Sequence, residues 1–132
     1  DNPSAIIEKL FNGMRAGNGD VIRGLVANNA PLDRITKDGE LQTGGFERWI
    51  NWVDQQNKGD ADERIFAVKT QEFGNLATVW APFILYYKGE LVGCGVNHFT
   101  LAKVAKDWKI VHGIDTAHDG ECEGFETLSR FK

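Results

Sequence analysis

The feature that most constrains this chain is a change of hydrophobic period just beyond Ala61. Before it, apolar residues recur at helical spacing; after it, they alternate. Four long alternating stretches follow, Arg64 to Phe73, Leu76 to Tyr87, Leu91 to Val104 and Trp108 to Ala117. Only Gly74-Asn75, Lys88-Gly89 and Lys106-Asp107 separate them, and such pairs signal tight turns, so the stretches read as an antiparallel meander. Helices first and a long meander second define an α+β fold.

The first helix is predicted from Asn2 as cap, Pro3 at the first helical position, and Ile6, Ile7, Leu10, Phe11 and Met14 on one face, with Gly17-Asn18-Gly19 as its stop. A short second helix starts at Asp20, carries Val21, Ile22, Leu25 and Val26, and ends before Pro31. Asp38-Gly39 marks a hairpin between Leu32 and Thr43 on the edge of the sheet. Gly44-Gly45 opens a third helix with Phe46, Trp49, Ile50 and Val53 as its stripe, and Gly59 is its expected end. No repeat, linker or low-complexity segment interrupts the chain, so residues 1–132 are read as one domain.

Charge narrows the function classes. The formal net charge is −4 and no basic run exceeds two residues, which argues against a nucleic-acid or anionic-lipid surface. The longest apolar uncharged stretch, Gly74 to Tyr87, is too short to span a bilayer, so a soluble chain without membrane insertion is expected. Eight Phe, four Trp and two Tyr in 132 residues must fill a core or line a hole. The only serines, Ser4 and Ser129, lie near the termini, which disfavours a serine hydrolase. No phosphate-cradling loop is present, and His98, His112 and His118 fit no metal-binding spacing, so neither cofactor nor metal is expected.

Cys94 and Cys122 are too few for a disulfide-stapled scaffold or a cysteine-ligated zinc site. They can form one bridge in an oxidising compartment, but read first as two unpaired thiols serving as small hydrophobes. The chain begins at Asp1 without Met, which leaves open both a cytoplasmic protein and an exported one whose signal peptide has been removed.

Asp62-Glu63-Arg64-Ile65, Leu76-Ala77-Thr78-Val79-Trp80-Ala81-Pro82-Phe83, Cys94-Gly95-Val96-Asn97-His98-Phe99-Thr100-Leu101 and Trp108-Lys109-Ile110, set after three helices, resemble the nuclear transport factor 2-like superfamily. Within it they are similar to the bacterial branch labelled lumazine-binding or SnoaL-like. The resemblance implies a cone-shaped roll: three N-terminal helices packed in a strongly bent antiparallel sheet, a pocket at the wide end, and an outer sheet face commonly used for dimerisation. Members include dehydratases, ketosteroid isomerases, epoxide hydrolases, polyketide cyclases and pockets without chemistry, and the fold does not choose among them.

Strand parity then sorts the candidates. The resemblance implies that Val79, Ala81, Phe83 and Leu85 face inward, and Trp80, Pro82, Ile84 and Tyr86 outward. Asn97 and Phe99 join the inward set only if a bulge near Pro82 or within Gly93-Cys94-Gly95 shifts the register. Trp49, Phe83, Asn97, Phe99 and Asp115 are thus the candidate ligand-binding set, and Trp80, Tyr86 and His98 the candidate dimer interface. Asp33 or Arg34 can approach the rim, and His112 replaces Asp115 at the mouth if the last strand slips. The simpler readings stand beside these: aromatic core for Trp49, Phe83 and Phe99, a solvated carboxylate or an arginine partner such as Arg64 for Asp115, and fold support for Glu63 and Arg64.

Three functions fit. The first is a homodimer holding a small apolar or aromatic molecule in its cavity. The second is a proton-transfer enzyme of the dehydratase, isomerase or polyketide-cyclase type, with Asp115 or Asp33 as base and His112 or Asn97 as hydrogen-bond donor. The third is a protein-interaction module presenting Trp80 and Tyr86.

Overall fold

The computed structural model describes residues 1–132. Helix α1 spans Pro3–Ala16: Asn2 caps it by accepting the Ala5 amide at 2.8 Å, and Gly17 ends it in the left-handed region at φ 66°. Helix α2, Gly19–Arg23, is capped by Asn18, and α3 spans Phe46–Asp54. The third helix ends earlier than Gly59, because Val53 is its last buried residue; Gly59, at φ 88°, serves the turn into the next strand instead.

Strands β1 (Leu32–Ile35) and β2 (Leu41–Gln42) form the edge hairpin, with Gly39 at φ 87° supplying its turn. The meander comprises β3 (Ala61–Ile65), β4 (Lys69–Phe73), β5 (Leu76–Tyr87), β6 (Glu90–Val104) and β7 (Asp107–Ala117). One open sheet runs in the order β2-β1-β7-β6-β5-β3, with β4 also on β5. It is mixed rather than wholly antiparallel, since β1 runs parallel to β7. Ile7, Leu10, Ile50, Val53, Val79, Leu101 and Ile110 are fully buried where the helices pack on the sheet.

Three departures from the sequence pattern have local causes. The stretch Arg64 to Phe73 breaks into β3 and β4 opposite Pro82: Ile65 pairs with Phe83 and Lys69 with Trp80, so three residues oppose two. Pro82 has no amide proton to donate, and a bulge is where an interior strand tolerates it. The last tight turn is Ala105-Lys106, both at positive φ, rather than Lys106-Asp107. The register shift that brings Asn97 and Phe99 inward sits at Val92, between the pairs Tyr86–Leu91 and Leu85–Gly93, one residue before the glycines.

Gly95 allows β7 to cross β6 closely. A Cβ there would stand 2.0 Å from the Thr116 carbonyl oxygen, which is backbone and cannot yield without moving the strand. Gly95→Ala is therefore expected to destabilise the protein by about 1 to 3 kcal/mol in thermal or denaturant unfolding. An unchanged midpoint would contradict this close approach.

Cys94 and Cys122 are joined by a disulfide, which overturns the reading of two unpaired thiols. The bridge holds the segment after β7, with its 3-10 turns Phe125–Thr127 and Ser129–Phe131, against the convex sheet face. There Ile84, Cys94 and Phe125 are buried, with Phe66, Tyr86, Leu128 and Phe131 packed around them. Part of the convex surface is thus covered by the chain itself.

Candidate functional site

A cavity of about 630 Å³ lies between the helices and the concave face of the sheet. Phe11 of α1, Phe46 and Trp49 of α3, and Phe99 of β6 supply its apolar wall. Two polar side chains are buried in the molecule as a whole, Glu63 at 8% exposure and Asn97 at 6%, and both line this cavity. Their meeting is local chemistry: Asn97 Nδ2 donates to Glu63 Oε2 at 2.7 Å. No protein group bonds Glu63 Oε1, and no buried side-chain atom of the protein is left without a partner. Oε1 is therefore open to the cavity.

Glu63 reaches this position because Ala61, Glu63 and Ile65 share one face of β3. Arg15 at the end of α1 fixes the strand, donating to the Glu63 carbonyl at 2.9 Å and to Asp62 Oδ1 at 2.6 Å. Glu63 and Arg64 were expected to support the fold; the structure divides them. Arg64 pairs with Asp62 and lies over the Tyr86 ring outside the cavity, while Glu63 is inside it.

Burial pushes the Glu63 carboxyl up from 4.5 to about 7; the Asn97 hydrogen bond opposes this, the nearby Asp115 charge adds to it, and the Arg34 charge relieves it. Such a group changes protonation near neutral pH. At the mouth, Asp115 Oδ1 accepts from Arg34 Nε at 2.7 Å. Asp115 is 18% exposed and its partner is Arg34 on the neighbouring strand, not Arg64. Arg48, also at the mouth, has no acidic partner.

The remaining candidates fall in several places. Trp49, Asn97, Phe99 and Asp115 line the cavity together. Phe83 is buried on the inward face of β5 but outside the lining, where Leu85 appears instead. Asp33 reaches the rim, yet its carboxylate is engaged by the Gly44 amide at 3.2 Å and by His112 at 3.0 Å. The His112 hydrogen bond, then the Gly44 amide, hold Asp33 below the usual carboxylate range. His112 pairs with Thr100 on the convex side and is not in the lining, because β7 carries a bulge at Val111. Trp80 is exposed beside His98, their ring centroids 6.3 Å apart, whereas Tyr86 packs in the cluster that the C-terminal segment covers. No three His, Cys, Asp or Glu side chains are grouped to hold a metal ion.

The family model described as "Putative lumazine-binding" matches residues 3–114, which include every residue lining the cavity except Asp115. The chain belongs to this lumazine-binding-like family. No curated protein matches the sequence. Among solved structures, an NTF2-like protein of unknown function from Shewanella baltica is 16% identical, with 89% of this chain and 91% of that chain covered at a TM-score of 0.69. An NTF2-like protein with a cystatin-like fold from Novosphingobium aromaticivorans is 13% identical over 95% and 85% of the two chains, TM-score 0.67. A protein described as a "putative ketosteroid isomerase" from Shewanella frigidimarina is 15% identical over 84% and 91%, TM-score 0.64. At these identities the likeness establishes the fold of this lumazine-binding-like chain, and its chemistry must come from its own cavity.

Proposed function

We propose that the concave cavity binds a small, largely apolar molecule whose single polar group meets Glu63. The observation carrying this reading is the open Oε1 of a buried carboxyl in the wall of an aromatic-lined cavity. A volume of about 630 Å³ suits a ligand of a few fused rings, and one or two convergent polar groups suffice to orient it. When protonated, Glu63 donates to a carbonyl; when ionised, it accepts from a hydroxyl.

A thermal-shift screen of ring ketones and phenols tests this reading. Ligands carrying one polar group are expected to raise the melting temperature, and Phe99→Ala to reduce the effect. Absence of stabilisation by any such ligand at high concentration would sink it.

Proton transfer is the second reading, favoured by the neutral-range titration of Glu63. The carboxylate would take a proton from carbon beside the bound carbonyl and return it to a neighbouring position, with Asn97 holding the acid in place. Exchange of that hydrogen with deuterated solvent is the measurement, with a rate rising through pH 7 and lost in Glu63→Gln. Pairing of two copies through the exposed Trp80 and the half-buried His98 is the competing use of the convex face, and the Cys94–Cys122 bridge supports an oxidising compartment.

A further inference from the structure

We propose that the convex face carries a second small-molecule site, a groove beside the disulfide-held C-terminal segment that takes an aromatic anion such as an aryl carboxylate. The groove has a volume of about 540 Å³ and shares no lining residue with the concave cavity. It stands whether or not the concave cavity binds as proposed.

Two departures from regular sheet build it. The break between β3 and β4 draws the edge back at Ala67, and the segment tied by Cys94–Cys122 supplies the opposite wall. Between them, Trp80, Pro82 and Val96 form an apolar floor, and Phe125 and Phe131 stand over it with ring centroids 5.0 Å apart. Trp80 remains 48% exposed, so a flat ring laid against it removes apolar surface from water on both partners.

Charge selects the ligand's other end. The chain as a whole is negative, yet Lys69 and Arg130 both line this groove and neither forms an ion pair. The one carboxylate in the lining, Asp119, faces Lys37 at 3.8 Å. His118, tilted against Phe125 with centroids 4.8 Å apart, adds an imidazole to the same wall. A ring bearing a carboxylate satisfies floor and rim together, whereas a neutral ring leaves both cations without a partner.

The test is an amide chemical-shift titration of the oxidised protein with 2-naphthoate and, separately, with 2-naphthol. Naphthoate is expected to move the amides of Lys69, Trp80, Val96 and His118 saturably, with affinity falling as salt is added. Lys69→Glu with Arg130→Glu, both exposed side chains, should weaken naphthoate by about fivefold or more and leave naphthol unchanged. Reduction of the disulfide should abolish these shifts. Shifts confined to the surroundings of Glu63 and Asn97, equal affinity for the two probes, or a dimer by sedimentation whose Trp80 face admits no naphthoate would each overturn the proposal.

Discussion

Glu63→Gln is expected to stabilise the protein by about 3 kcal/mol at pH 8 and by little at pH 4. The unfolded chain releases the Glu63 proton near 4.5 and the native protein near 7. Between these values the native state holds more protons, so this group's contribution is fully present below 4.5 and is lost as pH rises through 7. Each pH unit of that interval is worth about 1.4 kcal/mol. Glutamine keeps the oxygen that Asn97 bonds and removes the buried ionisation. For a domain of this size the gain corresponds to a rise of roughly 10 °C in melting temperature. Melting curves of both proteins from pH 4 to pH 8 decide it: parallel curves would show that the Glu63 carboxyl releases its proton at the same pH in the native and the unfolded protein. A side chain that weakens the fold at neutral pH yet lines the concave cavity is the pattern expected of a functional group.

Loss of the disulfide should have an effect of similar size but of a different kind. Cys94 and Cys122 are 28 residues apart, and closing such a loop is worth about 3.5 kcal/mol in the chain-entropy account. The segment beyond β7 has few other attachments: the His118 amide bonds the Cys94 carbonyl at 2.9 Å, and Phe125 and Phe131 pack on Phe66. Cys94→Ser with Cys122→Ser is therefore expected to release residues 119–132 before the rest of the domain. Hydrogen exchange followed by mass spectrometry should show those amides exchanging quickly while α1 and β6 stay protected. Equal loss of protection throughout, or none anywhere, would contradict a locally held cover.

The order of elements could be read from the sequence because period and turn chemistry agreed along most of it. Asn2-Pro3, Gly17, Lys88-Gly89 and the alternation from Leu76 onward each point to the element that forms. Asn97 and Phe99 could be directed inward once a bulge was allowed. Glu63 was the cavity-lining residue missed. Set between Asp62 and Arg64 it reads as fold support, although the alternation of Ala61, Glu63 and Ile65 carried the signal that it faces the core. The cover over Tyr86 was not visible either, since 3-10 turns leave only the three-residue spacing of Phe125, Leu128 and Phe131. Register decided the rest. Asp33 and His112 become partners of each other only because β1 docks parallel to β7, a pairing that no local pattern encodes.

That same parallel docking orders events in time. Neighbouring strands of the meander meet through tight turns and can zip together in sequence, but Arg34 finds Asp115 across 81 residues of chain. Closing so long a loop is the largest entropic step in assembling the sheet, and it gains little until the meander already offers β7 as a template. The mouth of the cavity is thus expected to be the last part of the sheet to form, with β1 amides gaining protection after those of β5 to β7 in pulse-labelled hydrogen exchange.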